Sequence, residues 1–400
     1  MSARWWRRLL VWDRNPTHTH AEPWRIVLSG DSSSPVVDTA TTATGPEALR
    51  TAVDATLTEF FASRRAVVDT VGGGYPAAVA DLEAFVLRGG KRMRPAFAWT
   101  AWLGAGGEST GERADAVLRA CSALELVQAC ALIHDDIIDS SSTRRGFPTV
   151  HVDFAGRHRD AGWSGSSEHF GESAAILVGD LALCWADDLL RESGIDADSA
   201  RRVQPVWSAM RTEVLGGQLL DIEAEAGIDE SVAAAMRVNR YKTAAYTVER
   251  PLHLGAALAD ADDELIAAYR SFGADIGIAF QLRDDLLGVF GDPEVTGKPS
   301  GDDITEGKRT VLIASALHQA DLARPDHAAT IRAGLGTDLD AAGVAEIRSI
   351  LVELGAVDAV ERQIDELGTR ALATLDNSSI EPVAAAHLRA MATAAIRRQY

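Results

Sequence analysis

Two aspartate-rich stretches, each at the end of a long apolar run, constrain the fold of this chain more than any other feature. The first is DDIID at 135–139, and the second begins with Asp284 and Asp285. Residues four apart lie on one face of a helix, so Asp135 and Asp139 should point the same way. Carboxylates clustered at the ends of facing helices repel one another unless a cation lies between them. Because every candidate ligand is an oxygen, a hard ion such as Mg²⁺ is favoured.

Basic motifs suited to phosphate alternate with these acidic stretches. Magnesium held by carboxylates usually keeps coordination positions for phosphate oxygens. Arginine binds phosphate through a bidentate fork, and lysine binds it as a point charge. The basic motifs are GGKRMRP at 89–95, RRG at 144–146, YKT at 241–243, and the glycine-lysine pairs at 297–298 and 307–308. The alternation predicts a substrate whose diphosphate is bridged to the protein by Mg²⁺.

In their order, the motifs resemble those of the trans-isoprenyl diphosphate synthases, the polyprenyl synthetase family of chain-elongating prenyltransferases, and in particular geranylgeranyl diphosphate synthases of bacterial type. The resemblance extends over residues 80–310 and rests on seven motifs: GGKRMRP (89–95), DDIID (135–139), RRG (144–146), GGQLLD (216–221), YKT (241–243), FQLRDD (280–285) and GKPSGDDITEGK (297–308). One DDxxD motif alone is a weak signal, whereas seven motifs in register are specific. The resemblance implies an all-α isoprenoid-synthase bundle around a deep central cavity.

For the metal centre, the resemblance implies three Mg²⁺ ions on the allylic diphosphate. The implied ligands are Asp135, Asp139 and Asp284. The chain departs from the family's commonest pattern at position 288, where Gly288 replaces the third aspartate of the second motif. Asp285 and Asp292 are expected to hold nearby waters or lysines, so the departure concerns the outer part of this cluster rather than the mechanism.

The resemblance also divides the remaining site residues by role. Isopentenyl diphosphate is expected to be bound by Lys91, Arg94, Gln128 and Arg145. The allylic diphosphate is expected to be neutralised by Arg144, Lys242 and Lys298. A carbocation is expected to be stabilised by Thr243, Tyr246, Phe280 and Gln281. Lys308, together with Arg397 and Arg398, is expected to close the site from above. The catalytic residues in this assignment are Lys242, Thr243, Gln281 and Lys298.

The implied reaction joins isopentenyl diphosphate head-to-tail to dimethylallyl, geranyl or farnesyl diphosphate. Synthases of C15 products resemble one another in carrying aromatic side chains one turn before the first aspartate motif, where this chain has Cys130 and Ala131. Both are small, so the product tail is expected to extend at least one helical turn, about 5.4 Å, towards Val127. Geranylgeranyl diphosphate (C20) is therefore the expected product, with farnesyl and longer polyprenyl diphosphates as alternatives.

Three other classes of protein share part of this pattern. His134 and Asp135 are adjacent, as in helical HD phosphohydrolases, but no suitably placed pair of further histidines precedes them. A terpene cyclase would share the aspartates without needing GGKRMRP for a second diphosphate. A silent subunit of a heteromeric prenyltransferase loses carboxylates of the first cluster, and this chain keeps all three.

Length and composition predict one large helical domain over residues 46–400, because the 400-residue chain has no Pro/Gly/Ser-rich linker in its middle. Residues 1–45 hold four of the nine tryptophans and a Ser/Thr-rich stretch, and are expected to form a disordered extension. A membrane-touching patch at 4–12 is the alternative for its basic and aromatic start. The net charge of −19 argues against a nucleic-acid partner.

The apolar run at 120–133 is interrupted by polar residues, so no transmembrane segment is expected. The three cysteines, Cys121, Cys130 and Cys184, show no metal-ligand spacing and are expected to be buried thiols in a reducing cytoplasm. The resemblance further implies a homodimer.

Overall fold

The computed structural model describes residues 45–227, 229–291 and 301–397, and nearly all of them are helical. The helices are α1 (Pro46–Val71), α2 (Tyr75–Leu87), α3 (Met93–Gly104), α4 (Glu112–Ile138), α5 (Val150–Asp160), α6 (Ser167–Arg191), α7 (Ala197–Glu225), α8 (Val232–Val238), the π-helical segment π1 (Asn239–Glu249), α9 (Arg250–Leu258), α10 (Asp263–Phe290), α11 (Asp302–Thr305), α12 (Val311–Ala323), α13 (Pro325–Gly334), α14 (Ala341–Glu353), α15 (Ala356–Asp376) and α16 (Pro382–Ile396). Within these ranges the only strands are β1 (Thr143–Arg144) and β2 (Phe147–Pro148), an antiparallel pair. The expected all-α fold is confirmed.

Two long helices, α4 and α10, form the centre of the structure. Helix α4 packs mainly against α6, and α10 packs against π1 and α15. Leu124, Leu126 and Ile133 of α4 are fully buried, as are Leu282 and Leu286 of α10. The hydrophobic side chains of both helices therefore fix their positions, and each helix carries one acidic motif in its last turns.

Helix α4 is long and apolar enough to cross a membrane by length and composition, and no other described helix is. Most of its apolar window is buried inside the protein, and its C-terminal turn carries Asp135 and Asp136. These features are those of a core helix.

Burial of the cysteines differs in part from the expectation. Cys121 and Cys130 are buried, but Cys184 on α6 is exposed. Cys184 follows Asp180 by one turn of α6, and Asp180 lies 3.8 Å from His134 of α4, so position 184 lies at the exposed rim of the contact between the two helices. The predicted N-terminal extension, 1–45, lies outside the described residues except for Gly45, which precedes α1.

Candidate active site

A cavity of about 770 Å³ opens between the C-terminal ends of α4 and α10. Nine of the residues assigned a role from the sequence line it: Lys91, Arg94, Asp135, Arg144, Lys242, Thr243, Gln281, Asp284 and Lys308. Tyr246 and Phe280, expected beside the carbocation, line it as well. The structure thus brings both acidic motifs and most of the basic motifs to one cavity.

The first acidic motif is surrounded by cations and amides. Asp135 Oδ1 lies 3.0 Å from Lys242 Nζ and accepts a hydrogen bond of 3.1 Å from Gln218 Nε2. Asp136 is buried. Arg144 Nε donates a hydrogen bond of 2.8 Å to Asp136 Oδ1, and Arg144 Nη2 lies 2.7 Å from the same oxygen. This pairing fixes Arg144 beside the cavity, 3.6 Å from Asp135.

Asp139 ends α4 and does not line the cavity, although its Oδ2 lies 3.9 Å from Lys308 Nζ. Burial and the neighbouring charge of Asp135 raise the pKa of Asp139 to about 6. Burial also acts to raise the pKa of Asp135, but Lys242, Arg144 and Lys308 outweigh it and lower that pKa. Asp135 is therefore ionised in the metal-free protein, whereas Asp139 would become fully ionised when a cation binds beside it.

Lysines supply the opposing charge on the other side of the motif. Lys242 Nζ forms an ion pair with Asp221 in addition to its contact with Asp135. Lys308 Nζ lies 2.8 Å from Glu306 and 3.8 Å from Asp303. Burial alone lowers the pKa of each lysine, but the surrounding carboxylates raise it, so both are charged at neutral pH.

Both carboxylates of the second acidic motif belong to the cavity wall, and Asp285 is the more deeply buried of the two. Asp285 is 2% exposed and accepts hydrogen bonds from Gln281 Nε2 at 2.7 Å and Asn239 Nδ2 at 3.3 Å. Burial, reinforced by Asp303 and Asp284, raises the pKa of Asp285 to about 7. Asp285 thereby links α10 to the start of π1 and orients Gln281.

These residues fit magnesium bound together with a substrate. Among the described residues, no three His, Cys, Asp or Glu side chains are already close enough to hold an ion by themselves. Mg²⁺ is commonly bound through one or two carboxylates plus substrate phosphates rather than by an all-protein cage. Asp135 and Asp284 present oxygen ligands to one cavity, and such a site is completed by diphosphate oxygens.

The GGKRMRP turn divides its cations between structure and cavity. Arg92 is 4% exposed and pairs with Asp54 at 2.7 Å and Glu125 at 2.6 Å. Its φ of 48° is left-handed, and those ion pairs hold it there. Lys91 and Arg94 instead line the cavity.

Arg94 is a buried cation without a carboxylate partner within 4.0 Å among the described residues. Its guanidinium donates to Thr247 Oγ1 at 2.8 Å and stacks 4.1 Å from the centre of the Tyr246 ring. The Arg94 Nε atom is buried and has no hydrogen-bond partner. A buried, unneutralised guanidinium marks a position for an anion.

Arg145 lies at the tip of the hairpin between β1 and β2, beside but not in the cavity wall. Its Nη1 donates to the Gly89 carbonyl at 3.0 Å, which joins RRG to GGKRMRP. Burial and the charges of Arg144, Arg92 and Arg94 lower its pKa, so this corner carries excess positive charge.

The remaining residues that were assigned a role do not line the cavity or lie outside the described residues. Gln128 is partly buried on α4 and does not line the cavity, and Arg397 is exposed just after α16. Lys298, Asp292 and Arg398 lie outside the described residues.

The π-helical winding of π1 explains how several of its residues reach the same cavity. Lys242, Thr243, Tyr246 and Thr247 all line it, over a segment whose wider turns bring positions five apart together. Pro251 follows at the start of α9, where it removes a backbone donor that an α-helix would use. A Cβ on Gly217 would overlap the Tyr241–Lys242 backbone. Glycine at 217 therefore lets α7 approach π1 closely.

Sequence reasoning missed three contributors to the site. Gln218 and Asp221 belong to GGQLLD, and their spacing of three places both on one helix face, which was the available signal. They bind Asp135 and Lys242, respectively. The third, Asp303, comes from a different segment than the two acidic motifs, and only the tertiary structure brings it to the cavity.

Comparison with known proteins places this site in a family. The polyprenyl synthetase family model matches residues 78–351. The chain belongs to the polyprenyl synthetase family and is a prenyltransferase; members of this family elongate prenyl chains with isopentenyl diphosphate and depend on Mg²⁺. The resemblance drawn from the seven motifs is confirmed.

Similar proteins make several prenyl chain lengths. The chain is 32% identical over 293 residues to the geranylgeranyl diphosphate synthase of Mycobacterium tuberculosis, covering 73% of this chain and 77% of that protein. It is 33% identical over 276 residues to the geranylfarnesyl diphosphate synthase of Aeropyrum pernix, covering 68% and 79%. A geranylgeranyl pyrophosphate synthase from Corynebacterium glutamicum, complexed with isoprenyl diphosphate and magnesium, superposes with a TM-score of 0.85 and 49% identity, covering 89% of this chain and 100% of that chain.

Proposed function

We propose that this enzyme condenses isopentenyl diphosphate with an allylic diphosphate and releases geranylgeranyl diphosphate (C20). The observation that carries the proposal is the composition of one cavity. Its wall holds Asp135 and Asp284, the unneutralised Arg94, and apolar side chains such as Ala131 and Phe280. Such a wall accommodates a metal-bound diphosphate, a second diphosphate and a hydrocarbon tail. The C20 synthases among the similar proteins support this product.

For the allylic substrate, Asp135, Asp139 and Asp284 would hold three Mg²⁺ ions, and the ions would stabilise charge on the leaving diphosphate. Lys242 already lies at Asp135, and Lys308 lies 3.9 Å from Asp139. When the diphosphate binds, both lysines are within reach of its oxygens. Arg144, held by Asp136, adds a third cation, and Lys298 is assigned the same role from the motif alone.

For the carbocation, the proposed stabilising groups are dipoles of π1 and α10. Thr243 and Gln281 line the cavity together with the rings of Tyr246 and Phe280. Hydroxyl and amide dipoles stabilise positive charge without being alkylated, and the apolar wall excludes water that would trap the cation.

For isopentenyl diphosphate, Lys91, Arg94 and Arg145 form the proposed anion site. Lys91 and Arg94 lie in the cavity wall, and Arg145 is tied to the same turn through Gly89. Gln128, assigned to the same substrate from the sequence, does not line the cavity.

For product length, only one of the two small residues before the first acidic motif opens to the cavity. Ala131 lines it, whereas Cys130 is buried with its Sγ 3.7 Å from His134 Nδ1. Of the two positions, only Ala131 is therefore proposed to lie beside the path of the product tail. Leu132 and Val214 lie beside it in the wall.

A homodimer in the cytoplasm completes the proposal. Helices α6 and α7 both contact α4 and carry exposed apolar side chains, among them Leu177 at 68% and Leu219 at 57% exposure. A second copy of the chain would cover them. Light scattering of the purified protein tests this, and a monomer at micromolar concentration contradicts it. The double variant Leu215→Glu/Leu219→Glu is expected to shift a dimer to monomer.

The decisive test of the activity is incorporation of radiolabelled isopentenyl diphosphate by the purified protein alone. Turnover is expected with Mg²⁺ and none with EDTA, and chromatography of the dephosphorylated product identifies its length. A C20 alcohol is expected. No turnover without a second protein would favour the partner-subunit alternative, and a product made without isopentenyl diphosphate would favour a cyclase.

A further inference from the structure

Arg309 is a cation of the cavity wall to which the sequence motifs assign no role. It directly follows Lys308, and both residues line the cavity. The Arg309 side chain is 16% exposed. Its Nε and Nη1 atoms are buried and have no hydrogen-bond partner among the described residues. Guanidinium donors are costly to bury unsatisfied, so these two atoms mark a position for an anion.

Glu230 neutralises Arg309 only weakly. Arg309 Nη1 lies 3.4 Å from Glu230 Oε1, which is longer than the separation of about 2.7–2.9 Å in a charge-assisted hydrogen bond. The other oxygen of Glu230 accepts a hydrogen bond of 2.9 Å from Arg332 Nε, and Arg332 also pairs with Asp321 at 2.8 Å. Glu230 is therefore shared between two arginines, and its shorter contact is with Arg332.

Lys308, the adjacent cation, differs from Arg309 because several carboxylates surround it. Lys308 Nζ lies 2.8 Å from Glu306, 3.8 Å from Asp303 and 3.9 Å from Asp139. Less of the charge of Arg309 is neutralised by the protein, so Arg309 is the more available of the two cations for a new anion.

We propose that Arg309 is a substrate-binding residue that contacts the diphosphate of the allylic substrate, and that Glu230 holds its guanidinium until that diphosphate binds. The inference rests on the proposed function, because it assumes that Asp284, in the same wall, holds Mg²⁺ on that diphosphate. Arginine suits this role because its planar fork binds phosphate bidentately. Glu230 and the diphosphate then compete for one guanidinium.

Calorimetric titration with inorganic diphosphate in the presence of Mg²⁺ tests the proposal without turnover. Arg309→Gln is expected to weaken binding roughly 10- to 100-fold, the usual effect of losing a hydrogen-bonded contact between charged groups. Arg332→Gln is the matched control, because Arg332 also pairs with Glu230 but does not line the cavity, and it is expected to weaken binding far less. Urea denaturation without metal shows whether each variant is folded.

Glu230→Gln is expected to change the affinity in the opposite direction. Neutral glutamine competes less for the guanidinium, so inorganic diphosphate is expected to bind several-fold more tightly than to wild type. In the double variant Arg309→Gln/Glu230→Gln this gain is expected to disappear, because no guanidinium remains to be released.

Three results would overturn the inference while leaving the proposed function intact, provided that wild type binds inorganic diphosphate with Mg²⁺. The first is an unchanged affinity in Arg309→Gln, and the second is an unchanged affinity in Glu230→Gln. The third is a gain from Glu230→Gln that persists in the double variant, which would show a long-range effect of charge. A wild-type protein that binds no diphosphate with Mg²⁺ contradicts the proposed function itself, and the inference with it.

Discussion

Asp285 gives the metal-free enzyme a distinctive dependence of stability on pH. Its side chain is 2% exposed, and its pKa of about 7 lies well above the ordinary value of 3.8. A carboxyl group with a raised pKa in the folded state favours folding while it is protonated. Its contribution is therefore fully present below about pH 4 and is lost as pH rises through about 7.

The size of the effect follows from the shift. A rise of about 3 pH units, at about 1.4 kcal/mol per unit, corresponds to a loss on the order of 4 kcal/mol in the free energy of unfolding. Asparagine has nearly the same shape and stays neutral. Asp285→Asn is therefore expected to remove this loss, so the variant gains stability relative to wild type as pH rises from about 5 to about 8.

Urea denaturation in EDTA at several pH values measures the effect. Asp326→Asn is the control, because the Asp326 side chain is 71% exposed. Stability curves of wild type and Asp285→Asn that run parallel between about pH 5 and pH 8 would refute the reasoning, whatever their vertical offset. A constant offset would report only the altered hydrogen bonds to Gln281 and Asn239.

Three further predictions concern catalysis. Asp135→Ala is expected to lower kcat several hundredfold or more, about 3–4 kcal/mol of barrier, because it removes a ligand where charge develops; a near wild-type rate would contradict the metal assignment. Lys91→Ala and Arg94→Ala are expected to raise KM for isopentenyl diphosphate far more than KM for the allylic substrate, and steady-state kinetics with equal effects on both would show that the two half-sites are wrongly divided. Ala131→Phe is expected to shorten the product from C20 to C15, whereas Cys130→Ala should leave it unchanged; product chromatography decides between these outcomes.

The parts of the site within single helices were predictable from the sequence. Asp135 and Asp284 both follow long apolar runs, and helical periodicity was enough to place them at the ends of core helices. The GGKRMRP turn was similarly local, since its two glycines end α2 and both have positive φ values. The order of the motifs then identified the family, and membership of that family implied a helical bundle around a deep central cavity.

The parts that depend on tertiary contacts were not predictable. The Asp303 carboxylate lies against Gly288, 15 residues earlier in the chain. Helical periodicity does not predict this contact, because the two residues belong to different helices. The buried pair of Arg144 and Asp136 likewise depends on the hairpin folding back over α4. From the motif alone, Arg144 was assigned only to substrate, yet its first partner in the structure is a carboxylate.

The placement of both acidic motifs in the last turns of their helices has an electrostatic consequence. A helix C-terminus carries partial negative charge, so carboxylates there are disfavoured unless cations compensate them. At the first motif of the metal-free protein, Lys242 and Lys308 provide that compensation through their contacts with Asp135 and Asp139. If Mg²⁺ were bound with diphosphate, the ions would compensate these carboxylates, and Lys242 and Lys308 would become available to other anions. We therefore expect the two lysines to move from the carboxylates to diphosphate oxygens on binding, where their charge stabilises the leaving group.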